Sequence, residues 1–496
     1  MDKMDEGTKR LDDYISMGRY VILVCVLAEL MILPQVSSMY YMMYAGASPS
    51  LSACGDDLIF DPELDEKEAC RLYHHVALEN CSAPSFRYEF KSVNVEWNYI
   101  CENANIIKNS ISVQMIGVLT GSVVFGQLSD LYGRRKGMLG TMTGMAASLL
   151  LVAKSATLVQ FTVTRTIVGF FTGGSIAVLN VFIMENIPKR HRMWINMVIT
   201  WSPNIMPMAL MAWLSADWRT LAVANAATCV PGILFCLIWI KESPQWLLQR
   251  GRINEAIEIM RREFNCFKER DMNNVVEKEY YLIRQTGSRN KHYSFFHLFC
   301  SAKLTITTVV LAFSFFSTSI VNYGILFNME KLSGSIYLNS VYTGLMRYVC
   351  NLTLGYADLK FKRIGRKFVH TSGLVIIILS LAFVIIAHFS GLNHTLKGEV
   401  RLLILLASSM TSQIYVTTGV VGNELFPTPI RNVGYAFLQL WNRLGVIASP
   451  FVFYWATASA IMPYCIMVTL CLIDMLAFEC LLPETKGMHL AIQMPP

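Results

Sequence analysis

The sequence predicts an all-α polytopic membrane protein with about twelve transmembrane helices in two six-helix halves. Composition comes first: 54% of the 496 residues are hydrophobic and only 16% charged, against about 25% charged in soluble domains. Patterning comes second. The charge is gathered into short segments between apolar runs of roughly 20 residues, the length that crosses the hydrocarbon core. Third, short motifs of the first half return in the second.

The expected spans are 20–43, 108–128, 137–153, 158–182, 193–213, 220–240, 303–327, 335–356, 369–388, 399–420, 433–455 and 461–482. The run from Tyr20 is too long for a signal-peptide core and reads as a retained first span. Basic residues follow span two (Arg134, Arg135, Lys136), span four (Lys189, Arg190, Arg192) and span eight (Lys360, Lys362, Arg363, Arg366, Lys367). The positive-inside rule makes their shared side cytoplasmic and puts both termini there. The expected division is 1–19 as N-terminus, 20–240 as first half with an outer loop at 44–107, 241–302 as cytoplasmic linker, 303–482 as second half and 483–496 as C-terminus.

The formal charge of +7 follows from these membrane-flanking clusters and needs no nucleic acid. No phosphate-binding GxxxxGK[ST] loop is present, which disfavours ATP-driven pumping. Neither a CxxC pair nor HExxH occurs, so neither metal nor cofactor is expected, and nothing points to an enzyme. Cys54, Cys70, Cys81 and Cys101 share the outer loop, where an even count in an oxidising compartment implies two disulfides with three alternative pairings. Asn80 and Asn393 begin glycosylation sequons in outer loops. In the linker, Ile253, Ala256, Ile257 and Met260 have helical spacing, predicting a surface helix over Arg252–Arg262.

The repeat joins Gly133-Arg134-Arg135-Lys136 to Gly365-Arg366-Lys367, Glu185-Asn186-Ile187-Pro188 to Glu424-Leu425-Phe426-Pro427, and Glu242 to Glu484. All three offsets are near 240 residues. Two such halves rocking about a central site give alternating access.

Gly126 to Lys136 resembles the signature loop of the major facilitator superfamily, and Arg165, Gly169, Gly173 and Gly174 resemble its fourth-span pattern. Glu96-Trp97-Asn98-Tyr99-Ile100-Cys101, Glu242-Ser243-Pro244-Gln245-Trp246-Leu247-Leu248, Asn423-Glu424-Leu425-Phe426-Pro427-Thr428 with Ile430-Arg431-Asn432, and Leu482-Pro483-Glu484-Thr485-Lys486-Gly487 look like the organic cation, organic anion and carnitine transporter family. The resemblance covers essentially the whole chain. It implies the major facilitator fold and a plasma-membrane carrier of small organic solutes, with sodium or a proton as candidate coupling ion. Two departures stand out. Asp358 is four residues further from Arg363 than the family pattern has it, which questions the second-half gate contact, and Lys241 replaces the usual Pro before Glu-Ser-Pro.

Charges inside spans need a reason, since each costs about 2.5–3.5 kcal/mol on insertion scales. Arg443 in span eleven aligns, by that resemblance, with an arginine of the anion and carnitine branches, and Arg347 in span eight falls where cation carriers often have glutamate. Both imply a carboxylate-bearing substrate; a structural partner for a buried acid or carbonyl is the bland alternative. Glu29 in span one either holds an amine or carries a proton, or else neutralises an arginine in the same cavity. Tyr40, Asn322, Tyr323, Trp201 and Trp441 are further candidate contacts, against ordinary span packing. Arg165, among helix-packing glycines, reads as structural or coupling-related. Asp474 and Glu479 sit in the inner half of span twelve with the weaker case. Pro203 and Pro207 are expected to bend span five.

The candidate gate comprises Asp130, Arg134, Arg135, Glu185, Glu242, Glu424 and Arg431, with Arg134 and Arg135 meeting Glu185 or Glu242 and holding the inner gate shut. The leading function is transport of a small organic zwitterion or anion. The alternatives are a cation carrier in which Glu29 replaces the family acids, and a non-transporting receptor or vesicle scaffold on the same fold.

Overall fold

The computed structural model describes residues 17–54, 58–59, 66–77, 84–188, 195, 198–264, 276–277, 280–281, 295–360, 365–392, 395–427, 430–454 and 461–486. The first half begins with α1 (Arg19–Ala45). The outer segment then forms β1 (Ser50–Cys54), β2 (Leu58–Ile59), α2 (Glu66–Ala77), β3 (Pro84–Arg87) and α3 (Val93–Glu96). Five long helices follow: α4 (Ala104–Tyr132), α5 (Arg134–Ala153), α6 (Leu158–Asn186), α7 (Trp201–Ser215) and α8 (Trp218–Ile238). The linker contributes α9 (Pro244–Gln249) and α10 (Ile253–Glu263), and the second half is α11 (Ala302–Leu326), α12 (Ile336–Lys360), α13 (Arg366–Phe389), α14 (Lys397–Leu425), α15 (Arg431–Tyr454) and α16 (Met462–Leu481).

Among the described residues, nine helices are long and apolar enough to cross a bilayer. The three remaining members of the twelve are α7, α12 and α15. The described part of α7 is only 15 residues long. The other two carry Arg347 and Arg443. These three are also helices of the interface between halves, where α7 packs on α12 and α15 on α4. α7 falls short by its described length, and in α12 and α15 polar residues on the side that meets protein lower the hydropathy.

Close approach of α4 and α6 explains the fourth-span glycines. A Cβ on Gly173 would strike the Val118 carbonyl, and one on Gly121 the Phe170 carbonyl. Small residues let membrane helices touch backbone to backbone. Start signals elsewhere are ordinary caps: the Asp217 carboxylate accepts from Arg219 N and Thr220 N to open α8, and Ser243 with Pro244 at the first position opens α9. The linker helix buries Ala256 and Met260, two of the four residues whose spacing predicts it.

The outer segment holds a small sheet, in which β1 pairs antiparallel with β2 and β3 in the order β2-β1-β3; its short strands leave too little alternation to be read from sequence. In span five Pro207 is interior to α7, but Pro203 stands in the first turn, where its missing N–H breaks no intrahelical bond.

The outer segment is held to one end of the bundle, here called the loop face. The Arg219 guanidinium donates to Glu96 Oε1 at 2.6 Å and to the carbonyls of Ala153 and Ser155. Trp218 Nε1 donates to Glu96 at 2.8 Å, and Trp97, Phe161 and Trp218 meet edge to face. Burial raises the Glu96 carboxyl, but the bonds and charge of Arg219 and Trp218 outweigh it and leave it below the usual carboxylate range. The structure joins Cys70 to Cys101; Cys81, Asn80 and Asn393 lie outside the described residues.

Candidate functional site: an arginine-centred pocket between the halves

Arg347 projects from α12 into a buried knot of three other helices. Its guanidinium donates to Tyr40 Oη of α1 at 2.8 Å, Asn322 Oδ1 of α11 at 2.5 Å and Thr411 Oγ1 of α14 at 2.7 Å. Its Nε has no partner. All three acceptors are neutral, so its charge is solvated but not cancelled. Thr411 also donates to Asn322.

Arg443 on α15 is partly exposed. Among the described residues it makes neither hydrogen bond nor ion pair; the phenols of Tyr323, Tyr415 and Tyr435 lie within its electrostatic reach. Tyr323 is also close enough to feel Arg347 and Tyr40. Its neighbour Asn442 accepts from Ser319 at 2.6 Å, and Tyr415 donates to Ser319 at 2.9 Å. The structure thus brings Arg443, Arg347, Tyr40, Asn322 and Tyr323 together. Sequence reading missed Tyr415, Thr411 and Ser319, because hydroxyls in an apolar helix carry no signal until their neighbours are known.

Among the described residues Glu29 pairs with no arginine: Asn204 Nδ2 of α7 donates to its Oε2 at 2.8 Å. Trp441 turns to Phe316 and Phe437, and Trp201 packs against an apolar core to which both halves contribute. Arg165 is held differently, with its Nη1 left without a hydrogen-bond partner. Its guanidinium bonds Gln114 Oε1 at 3.2 Å and Ser38 O at 2.7 Å and lies 4.4 Å over the Tyr41 ring, tying α6 to α4 and α1.

On the opposite end, the linker face, Arg134 pairs with Asp130 and, at 3.0 Å, with Glu185. The Glu242 carboxylate caps α5 by accepting from the backbone N–H of Arg134 at 2.8 Å and of Arg135 at 3.2 Å. The Arg135 guanidinium does not meet an acid as expected; it donates to the Cys236 and Leu237 carbonyls that end α8. The described partners belong to the first half and the start of the linker, so this network braces that half. The second half repeats it. Glu484 accepts from Arg366 N at 2.8 Å and Lys367 N at 3.1 Å, and Arg366 stands 3.7 Å from Glu424. Arg363 and the side chain of Asp358, on which the lengthened loop bears, lie outside the described residues. Arg431 Nε bonds Phe426 O.

The geometry also explains the repeated glycine. A Cβ at Gly133 or Gly365 would strike the very carboxylate, Glu242 or Glu484, that caps the following helix. The lysine at 241 has a use too: its backbone N–H, which proline lacks, donates to Tyr20 Oη at 3.2 Å.

Residues 75–494 match the model of the sugar (and other) transporter family. The chain belongs to that family. It is 30% identical over 412 residues to the organic cation transporter-like protein of Drosophila melanogaster, covering 80% of this chain and 70% of the relative. Against solute carrier family 22 member 7 of Rattus norvegicus the identity is 26% over 379 residues, 73% of this chain and 67% of the relative. The fold is that of the xylose transporter XylE from E. coli in a partially occluded inward-open conformation, with TM-score 0.65, 16% identity, and 95% and 100% of the two chains covered. This chain is accordingly a multi-pass secondary transporter of the major facilitator superfamily, of the organic cation, organic anion and carnitine type, and not an enzyme. The scaffold or receptor alternative is not favoured by these relationships.

Proposed function

We propose that this transporter carries small organic anions or zwitterions across the plasma membrane by alternating access, with Arg443 as the carboxylate-binding residue and Arg347 beside it. Arg443 carries the argument: it is a mid-membrane guanidinium without a hydrogen-bond or ion-pair partner among the described residues. A fork that no protein group fills is matched by a ligand carboxylate through two parallel hydrogen bonds. Arg347, neutralised by nothing it touches, adds positive potential. The linker face, which carries the basic clusters, is the cytoplasmic side.

A zwitterion finds its second contact at Glu29, whose Oε2 is held by Asn204 while Oε1 accepts nothing from the described residues. A cation-only carrier is disfavoured by two arginines at the site.

The test is initial uptake of a matched panel (benzoate, glycine betaine and tetraethylammonium) at equal surface expression. Arg443→Lys keeps charge but loses the fork, and is expected to cut carboxylate uptake at least tenfold, about 1.4 kcal/mol. Arg443→Asp should cut it further. Glu29→Gln should impair the betaine selectively. A wild-type protein that carries only tetraethylammonium, unaffected by either carboxylate, overturns the reading.

A further inference from the structure

The second half contains a buried titratable cluster apart from the arginine pocket. Asp474 of α16 and His370 of α13 are both fully buried, with Oδ2 and Nε2 3.9 Å apart. Ser317 of α11 donates to Asp474 Oδ2 at 3.1 Å. Ser314, one turn earlier, bonds His370 Nε2 at 3.0 Å and Thr418 of α14 at 3.2 Å. Phe478 stacks on the imidazole at 3.6 Å. The cluster is not closed: Asp474 Oδ1 and His370 Nδ1 have no hydrogen-bond partner.

No described arginine or lysine pairs with it. The groups facing it can be named helix by helix. Cys471 shares α16 with Asp474. From α11 and α14 come hydroxyls only, and no charged group of α15 acts on either residue. Toward the linker face, Lys367 of α13 stands 3.9 Å from Glu479 of α16, and Thr371 donates to Glu479 at 3.0 Å. Those three residues, with Glu484, line a cavity of about 440 Å³. Thr371 and Glu479 are the chain neighbours of His370 and Phe478.

We propose that Asp474 and His370 form a proton-binding site that couples transport to proton movement through the cavity on the linker face. A single shared proton makes the pair neutral, whichever group holds it. Releasing it breaks an O–H or N–H bond, passes the proton to cavity water and leaves a buried anion, which an apolar surround opposes. Exchange therefore happens only in conformations that let water past Phe478. Two helices link this event to the pocket. On α14, Thr418 lies two turns from Thr411, a partner of Arg347, and so on the same face. On α11, Ser314 and Ser317 precede Asn322, another partner of Arg347. Rearranging Arg347 on anion binding moves the helices that seal the proton site.

Infrared difference spectra of the purified full-length protein between about pH 5 and pH 9 should contain a carboxyl band that Asp474→Asn removes. In proteoliposomes loaded with a pH-sensitive dye, benzoate or glycine betaine should move protons with wild-type protein. Asp474→Asn and His370→Gln should reduce that movement at least tenfold while exchange of labelled probe stays within about twofold. An absent Asp474 band, or proton movement that neither variant changes, overturns the proposal. If neither probe is carried, the substrate reading fails and the infrared result alone decides the proton site.

Discussion

In the first half, Arg134 is 5% exposed and gathers Asp130, Glu185 and the Ser129 hydroxyl around one guanidinium. Its counterpart Arg366 has a 16% exposed side chain and stands 3.7 Å from Glu424. The capping carboxylates differ likewise. Burial raises Glu242 above the usual carboxylate range and its backbone N–H donors do not undo that. Burial also acts on Glu484, but donors from Lys486, Arg366 and Lys367 overcome it and hold the group low. The repeated motif is thus more deeply buried in the first half than in the second. The second half, which carries Arg347, Arg443 and the Asp474 cluster, is the half built with polar groups to spare.

The largest test of that contrast is removal of the two arginines. Arg134→Ala strands Glu185 in a buried site and should cost about 3–5 kcal/mol. Arg366→Ala, whose described pair with Glu424 is longer and less buried, should cost less. Thermal unfolding of the purified proteins measures both; equal losses would break the comparison. Asp130 comes next, because it is the exposed member of the network, with a 67% exposed side chain. Asp130→Ala should leave equilibrium substrate binding nearly intact and slow flux several-fold, since the network biases conformations distant from the pocket. Wild-type flux would remove its gate role.

The smallest effects have opposite signs. The Glu484 carboxyl is lower in the folded state, so its stabilisation is present above the ordinary carboxylate range and lost as pH falls through its depressed value. The Glu242 carboxyl is raised, so folding is favoured below the ordinary range and stability is lost as pH rises through the elevated value. At about pH 7.5, Glu484→Gln should therefore lower the melting temperature and Glu242→Gln leave it level or raise it. Parallel melting curves at acid and neutral pH check this, and shifts of the same sign would show that the two caps are equivalent.

Much of this was legible in the chain. Apolar runs of bilayer length mark most of the spans because lipid leaves backbone no other partner, and the glycine–arginine and glutamate repeats, which recur about 240 residues apart, complete the count of twelve. The arginines of spans eight and eleven stand out against apolar neighbours, as any costly charge does. What only the tertiary structure decided is who partners whom. Among the described residues, Glu29 meets Asn204 and no arginine; the Arg135 guanidinium meets helix carbonyls while only its backbone N–H reaches Glu242; Arg347 spends its fork on Tyr40, Asn322 and Thr411, while Arg443 keeps its own open. His370, an unremarked histidine one turn into a span, gains meaning only beside Asp474, 104 positions away in sequence. The physical reason is the same throughout: insertion responds to the hydropathy of one helix at a time, whereas the state of a buried charge depends on neighbours that four or five helices supply together.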